Sequence, residues 1–205
     1  MGYVEDRVRE EAARAAQCLL AGGVVLLPTD TVYGLAVHPG HDESVTRLFA
    51  IKGRPRSVNL PVMLTSGDQI PGLGGVVTPA ADKLLRSKYV PGALTVAVGT
   101  SPDRLVPWLR GRVEFAVRIP DDERLLAIIE RTGPLLVTSA NLHAQAVRES
   151  VQEILPTLAI EPDLVIDDGI RDTVPSTLVN CRLDPPVVER VGAVPKEEIE
   201  AVLGE

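Results

Sequence analysis

The stretch from Gly22 to Leu35 reads G-G-V-V-L-L-P-T-D-T-V-Y-G-L and places three polar residues directly after an apolar run. The apolar run at 24–27 is short and bounded by Gly and Pro, which is typical of a buried strand. Two threonines then flank Asp30, and hydroxyl groups at a strand end can bind a small polar ligand as donors and as acceptors. The alternative is a turn in which Asp30 and Thr31 satisfy local backbone groups.

On both sides of this stretch, helical and extended patterns follow each other along the chain. Helices are predicted over 4–20, 42–53, 78–89, 121–131, a short segment after 150, and 195–203. Strands are predicted over 24–27, 60–64, 94–98, 115–119, 135–137, 164–166, 177–181 and 187–191. Asp42 and Thr78 are predicted N-caps, and Ser150 with Glu153 a predicted capping box. Because three strands crowd the last third, the pattern favours an α/β fold with α+β character, in which helices pack on one mixed sheet.

Length and charge limit the classes of function. The chain has 205 residues, a formal net charge of −7 and 3% aromatic residues. Broad nucleic-acid binding needs a basic face or stacking platforms, so direct binding of nucleic acid is expected to be weak or absent. Two cysteines do not make a disulfide framework, and no apolar run approaches the roughly 20 residues that span a bilayer. The charged first residues lack the apolar core of a signal peptide. We therefore expect one domain over 1–205, a cytoplasmic location and no membrane association.

A basic segment follows the second predicted helix. It reads K-G-R-P-R at 52–56, which is three cations in five residues. Arg presents a rigid fork to phosphate oxygens and Lys a mobile point charge, so the segment is a candidate phosphate site. A solvated basic turn that complements the helix dipole is the alternative.

Two further loops follow predicted strands and carry small polar residues. The small side chains of the segment T-S-A-N at 138–141 would let a nucleotide approach the backbone, and its hydroxyl and amide groups can bind phosphate or base edges. A plain polar turn is the alternative. The segment P-S-T at 175–177 forms one candidate group with Arg118 and Arg190, which lie in predicted strands. An arginine inside an apolar strand must face solvent or find an anion, and an ion pair at a sheet edge is the alternative.

Several familiar catalytic patterns are missing from the sequence. His38, His41 and His143 have no metal-ligand spacing, and the pair at 167–168 is typical of a turn before Gly169. The chain has no Walker motif, no GxGxxG and no GxSxG. We therefore predict neither a protein-held metal ion nor a serine nucleophile.

Taken together and in order, these segments resemble the YrdC family over almost the whole chain. The matching segments are G-G-V-V-L-L-P-T-D-T-V-Y-G-L at 22–35, K-G-R-P at 52–55, P-G-A-L-T at 91–95, A-V-R-I-P at 116–120, T-S-A-N at 138–141 and P-S-T-L-V at 175–179. Each segment alone is a weak signal, but six in order make the match specific. The resemblance implies a twisted mixed sheet flanked by helices, with a concave ligand cleft.

The resemblance also implies an activity and a set of site residues. Family members join L-threonine, bicarbonate and ATP into threonylcarbamoyl-AMP for tRNA modification, release pyrophosphate and pass the product to a separate tRNA-modifying complex. Mg²⁺ is expected to accompany ATP. By position, the implied ATP contacts are Lys52, Arg54, Ser139, Asn141 and Arg190. The implied threonine contacts are Thr31, Arg118 and Ser176.

The chain departs from the family pattern at three places. Met63 stands where a histidine that contacts threonine is expected, H-A-Q-A-V at 143–147 replaces a stretch with S-G and a later serine, and P-S-T replaces the commoner E-S-T. Two alternatives therefore stay open: a related enzyme that makes a different carbamoyl- or acyl-adenylate, and a non-catalytic RNA-binding module.

Overall fold

The computed structural model describes residues 2–53, 59–142 and 145–204. Its α-helices are α1 Gly2–Leu20, α2 Asp42–Lys52, α3 Pro79–Leu85, α4 Glu123–Thr132, α5 Val151–Ile154 and α6 Lys196–Gly204. Its strands are β1 Val25–Leu27, β2 Gly34–Val37, β3 Val62–Met63, β4 Gly75–Val76, β5 Leu94–Thr100, β6 Glu114–Arg118, β7 Leu135–Ser139, β8 Leu164–Val165, β9 Thr177–Asn180 and β10 Val187–Arg190. In this part of the chain no helix is long and apolar enough to cross a bilayer.

The ten strands form one mixed sheet. Their spatial order is β10-β9-β5-β6-β3-β7-β2-β1-β8, and β4 pairs with β5 outside that order. The pairs β1/β8, β3/β6 and β5/β9 are parallel, whereas β1/β2, β2/β7, β3/β7, β5/β6 and β9/β10 are antiparallel. This arrangement confirms the predicted mixed sheet with flanking helices.

Helices cover the two faces of the sheet unequally. On one face, α1 and α4 pack over β1, β2, β7 and β3 through a cluster of buried residues that includes Leu19, Ile128 and Val137. A larger apolar cluster on the other face extends to β5, β6 and β9 and includes Phe115, Val117 and residues of the remaining helices. Along β6, the residues that alternate with Phe115 and Val117, namely Glu114, Ala116 and Arg118, all contribute to the lining of a cleft. The cleft therefore lies on the α1 and α4 face, beside these two helices.

Some local predictions were right and others wrong. Thr78 does cap α3, since its hydroxyl accepts a hydrogen bond from the Ala81 amide, but the helix ends at Leu85 and not near residue 89. Asp42 is the first residue of α2 and not its N-cap. Ser150 occupies the N-cap position of α5 without a capping hydrogen bond from its side chain, so the predicted capping box is not complete.

Strand β2 was not predicted from the sequence. Its four residues are all buried, so they lack the alternation that marks a half-exposed strand. It pairs antiparallel with β1, with Leu27 opposite Gly34, which makes the P-T-D-T-V-Y segment the connection of a hairpin. The P-T-D-T-V-Y segment is therefore a loop at the end of two buried strands.

Candidate active site

The hairpin connection is stabilised by Thr29, which leaves Thr31 to face the cleft. The Thr29 hydroxyl donates to the Val32 carbonyl oxygen at 2.6 Å and accepts hydrogen bonds from the amides of Thr31 and Val32 at 3.1 and 3.2 Å. The Thr31 hydroxyl accepts a hydrogen bond from Nη1 of Arg118 at 2.8 Å. The turn interpretation therefore describes Thr29, whereas Thr31 and Asp30 contact a distant arginine.

Arg118 is a buried cation held on three sides. Nε donates to the Gly92 carbonyl oxygen at 2.9 Å, Nη1 to Thr31 and Nη2 to Oδ1 of Asp30 at 2.8 Å. The side chains of Arg118 and Asp30 are only 5% and 11% exposed. Burial lowers the pKa of the Arg118 guanidinium, and the charge of Asp30 acts in the opposite direction. The arginine thus keeps a fixed orientation at the cleft wall.

A second arginine and two hydroxyl groups lie at the same end of the cleft. The hydroxyls of Thr95 and Ser176 are 2.8 Å apart. Arg190 donates from Nε and Nη2 to the Ser176 carbonyl oxygen at 3.1 and 2.8 Å, and from Nη2 to the Ser176 hydroxyl at 3.2 Å. Burial lowers the pKa of Arg190, and the charge of Arg118 lowers it further. Two neighbouring guanidinium groups with several hydroxyls form a place where an anion would be stabilised.

Lys52 and Asn141 organise the loop after β7. Lys52 is 2% exposed, and its ammonium donates to the carbonyl oxygens of Ser139 and Asn141. The Ser139 hydroxyl donates to Oδ1 of Asn141, whose Nδ2 donates to the Gln145 carbonyl oxygen at 2.6 Å. Ser139 lines the cleft. The ammonium of Lys52 thus fixes the backbone on which Ser139 stands.

Several of these groups line one cleft of about 440 Å³, a size typical of a small-molecule site, whereas Lys52 and Asn141 are not among its lining residues. Its lining includes five residues that the sequence assigned to ligands: Thr31, Arg118, Ser139, Ser176 and Arg190. The predicted ATP contact Arg54 lies outside the described residues, as does His143. The described loops that seemed scattered along the sequence therefore meet at one place.

Met63 also lies in this cleft. It is 4% exposed, and in the parallel pair of β3 and β6 it stands opposite Arg118. The departure from the family pattern is therefore located beside the buried arginine, where a thioether replaces an imidazole.

The other end of the cleft is acidic, a feature that was not predicted from the sequence. Asn180 donates from Nδ2 to carboxylate oxygens of Glu114 and Glu189 at 3.1 and 2.7 Å, and Arg182 donates from Nε to Glu114 at 2.5 Å. Burial alone would raise the pKa of Glu114, but the hydrogen bonds from Arg182 and Asn180 together lower it. The sequence carried one signal for this feature: Glu114 precedes the apolar Phe115 in β6, and successive residues of a strand face opposite sides of the sheet.

Thr95 and Asp30 were not assigned to the site either. Thr95 belongs to the quoted P-G-A-L-T segment, and its 2% exposure together with its contact to Ser176 makes it part of the cleft wall. Asp30 lies in the stretch from Gly22 to Leu35, but its partner Arg118 is 88 residues away, so the pair has no local sequence signal.

The fold and the cleft define an α/β protein with a ligand site on one face of a mixed sheet. A family model named Sua5_yciO_yrdC and described as "Telomere recombination" matches residues 17–192. The chain therefore belongs to the Sua5/YciO/YrdC family.

Individual relatives agree with this assignment. The threonylcarbamoyl-AMP synthase of Bacillus subtilis (strain 168) is 34% identical over 197 residues, which are 95% of this chain and 57% of that protein. The structure of Pyrococcus abyssi Sua5 complexed with L-threonine is similar, with a TM-score of 0.84 and 32% identity over 98% of this chain and 58% of that one. Escherichia coli YciO has the same fold, with a TM-score of 0.81 and 24% identity over 93% of each chain. The chain thus spans less than two thirds of the length of the first two relatives.

Proposed function

We propose that this chain joins L-threonine, bicarbonate and ATP into threonylcarbamoyl-AMP, with release of pyrophosphate, for the threonylcarbamoyladenosine modification of tRNA. The observation that carries the proposal is the meeting of Thr31, Arg118, Ser139, Ser176 and Arg190 in one cleft. The proposal is supported by a relative named threonylcarbamoyl-AMP synthase and by a structural neighbour that was solved with L-threonine.

The end of the cleft at Arg118 suits the amino acid. A guanidinium binds a carboxylate through paired hydrogen bonds, and Arg118 is fixed in place by three acceptors. The Thr31 hydroxyl contacts Arg118, and the Ser176 hydroxyl, which contacts Arg190, lines the same cleft; both can donate to or accept from the polar groups of a small substrate.

The nucleotide would occupy the side of the cleft formed by Ser139, with Arg190 near its phosphates. Lys52 and Asn141 would act there through the loop they stabilise. Arg54, which the resemblance assigns to ATP, completes this set in the proposal.

The chemistry requires positioning and charge stabilisation more than a strong base. The neutral threonine amine adds to CO2, which bicarbonate supplies on loss of water, and gives up a proton to water to form a carbamate. An oxygen of the carbamate then attacks the α-phosphorus of ATP while pyrophosphate leaves. The carbamate is already an anion, so no side chain has to remove a proton at this step. Arginines near the phosphates would stabilise the charge that develops, and a fixed carboxylate contact would align the nucleophile.

We propose that Mg²⁺ enters with the triphosphate. Within the described residues, no group of three or more His, Cys, Asp or Glu side chains could hold a metal ion. Phosphate oxygens and water would therefore be its main ligands, which is the usual way that proteins bind this ion with nucleotides. It would supply neutralisation of phosphate charge.

The remaining partners follow from the charge and from the family. With a net charge of −7, the chain is poorly suited to hold tRNA itself, so the product would pass to a separate tRNA-modifying complex, and we place both in the cytoplasm.

A second candidate is motivated by Met63. Its thioether, beside Arg118, is a weak hydrogen-bond acceptor and favours apolar contact, so the substrate could be another small amino acid. The product would then be a different carbamoyl-adenylate.

One experiment separates these candidates. Pyrophosphate release is measured with ATP, bicarbonate and a panel of small amino acids, each component is omitted in turn, and the product is weighed by mass spectrometry. The proposal expects release only with bicarbonate and L-threonine together, and strongly reduced release in Ser176→Ala. Faster release with another amino acid would favour the second candidate, and no release with any amino acid would reject both.

A further inference from the structure

Asp30 is not among the described residues that line the cleft, but it contacts Arg118, which lines it. Its carboxylate accepts a hydrogen bond from Nη2 of Arg118 at 2.8 Å, and both side chains are largely buried. An unpaired guanidinium in this place would be costly, because burial disfavours an isolated charge. Asp30 therefore compensates the charge of Arg118 and also fixes its direction.

The donor count of Arg118 shows what remains for a ligand. A guanidinium has five N–H groups. Within residues 2–53, 59–142 and 145–204, three are committed, to Gly92, Thr31 and Asp30, which leaves one on each terminal nitrogen. Two N–H groups on adjacent nitrogens match the two oxygens of a carboxylate.

Other charges near Arg118 do not duplicate the role of Asp30. Asp122 also acts on Arg118 electrostatically, but its Oδ1 caps α4 by accepting a hydrogen bond from the Leu125 amide at 2.8 Å. Arg190 is a like charge and would push the guanidinium away. Only Asp30 forms an ion pair with Arg118 among the described residues.

We propose that Asp30 is a positioning residue for the amino-acid substrate: it holds Arg118 so that one N–H of each terminal nitrogen faces the substrate carboxylate. Asp30 touches no substrate in this arrangement and acts through Arg118. The inference deepens the proposed function and rests on it for the identity of the substrate.

The test compares the wild type with Asp30→Asn, which keeps the shape and removes the charge. KM for L-threonine should rise roughly 10- to 100-fold, the factor of one charge-assisted hydrogen bond, while kcat and KM for ATP change little. Asp82→Asn removes the partner of Arg86 in an exposed ion pair and is the matched control, which should leave all three values unchanged. An unchanged KM for L-threonine in active Asp30→Asn would overturn the proposal.

A second readout does not depend on the substrate. In ¹⁵N-labelled protein, the Arg118 Nε–H signal, identified by its loss in Arg118→Lys, should exchange slowly with solvent in the wild type. It should exchange at least about tenfold faster in Asp30→Asn. If the wild type shows no threonine-dependent turnover, the proposed function fails, and this exchange decides the role of Asp30 alone: faster exchange supports it and unchanged exchange overturns it. Should Asp30→Asn not fold, Asp30→Glu, which displaces the carboxylate by one methylene, is judged by the same results.

Discussion

Removal of both charges of the buried ion pair should destabilise the protein less than removal of the Arg118 guanidinium alone. Arg118→Met removes the guanidinium from a site where the pair is 5% and 11% exposed, and it leaves the Asp30 carboxylate without its cation. Breaking a buried pair from one side costs about 3 to 5 kcal/mol in the free energy of unfolding, and this geometry places Arg118→Met in that range. Asp30→Asn should be milder, because Arg118 keeps its contacts with Gly92 and Thr31.

The double variant Asp30→Asn/Arg118→Met tests this reasoning. It removes both charges, so what is lost is one hydrogen-bond donor to Gly92 and one to Thr31, each contributing about 1 kcal/mol. The destabilisation of the double variant should be smaller than the sum of the two single effects by about 2 kcal/mol. The free energy of unfolding is measured by urea unfolding at pH 7 for the wild type, the two single variants and the double variant. The four values are compared with one common m value, the slope of the free energy against urea concentration. Additive effects within about 0.5 kcal/mol would show that the pair is not coupled and would refute the argument.

Three other predictions concern packing and pH. Gly192→Ala should raise KM for L-threonine and destabilise the fold by about 1 to 3 kcal/mol, because a Cβ would collide with the backbone of the segment that carries Ser176. The control is Gly72→Ala, where a Cβ meets open space, and it should be neutral in the same assays. Leu26→Ala should cost about 2 to 5 kcal/mol in urea unfolding, because Leu26 is fully buried, whereas Leu20→Ala, at a site 50% exposed, should change stability by less than about 0.5 kcal/mol; equal effects would contradict the assigned core. Burial alone would raise the pKa of Asp168, but three neighbouring arginines lower it below its usual value. The ionised Asp168 therefore stabilises the fold at pH values above the pKa of the unfolded state, and this stabilisation is lost as the pH falls through the lower pKa of the folded state. Asp168→Asn should therefore flatten the loss of stability on acidification, and an unchanged acid profile would contradict this assignment.

The sequence predicted most elements of the fold because their signals are local. Thr78 followed by Pro79 is a helix start that needs no tertiary information, and the structure confirms it. Strand β2 was missed because all four of its residues are buried between β1 and β7, so no alternation distinguishes them from a loop motif. Helix α3 was predicted to extend to about residue 89 because helical composition continues past Leu85, where the helix ends.

The site was predicted less completely than the fold, because its contacts join distant residues. Thr31 and Arg118 were both selected, but nothing in the sequence indicated that Asp30 pairs with the arginine. Lys52 was predicted as a phosphate contact, yet its ammonium lies against the carbonyl oxygens of the loop after β7, a contact that depends on the packing of α2. A contact between Lys52 and ATP therefore stays a prediction.

The most direct test of the central claim is a crystal structure of the chain with L-threonine and an ATP analogue that carries a methylene group between the α- and β-phosphates. We expect the threonine carboxylate to accept hydrogen bonds from the two remaining N–H groups of Arg118, and the triphosphate to lie beside Ser139 and Arg190 in the same cleft. Threonine bound elsewhere, or a nucleotide outside this cleft, would contradict this expectation.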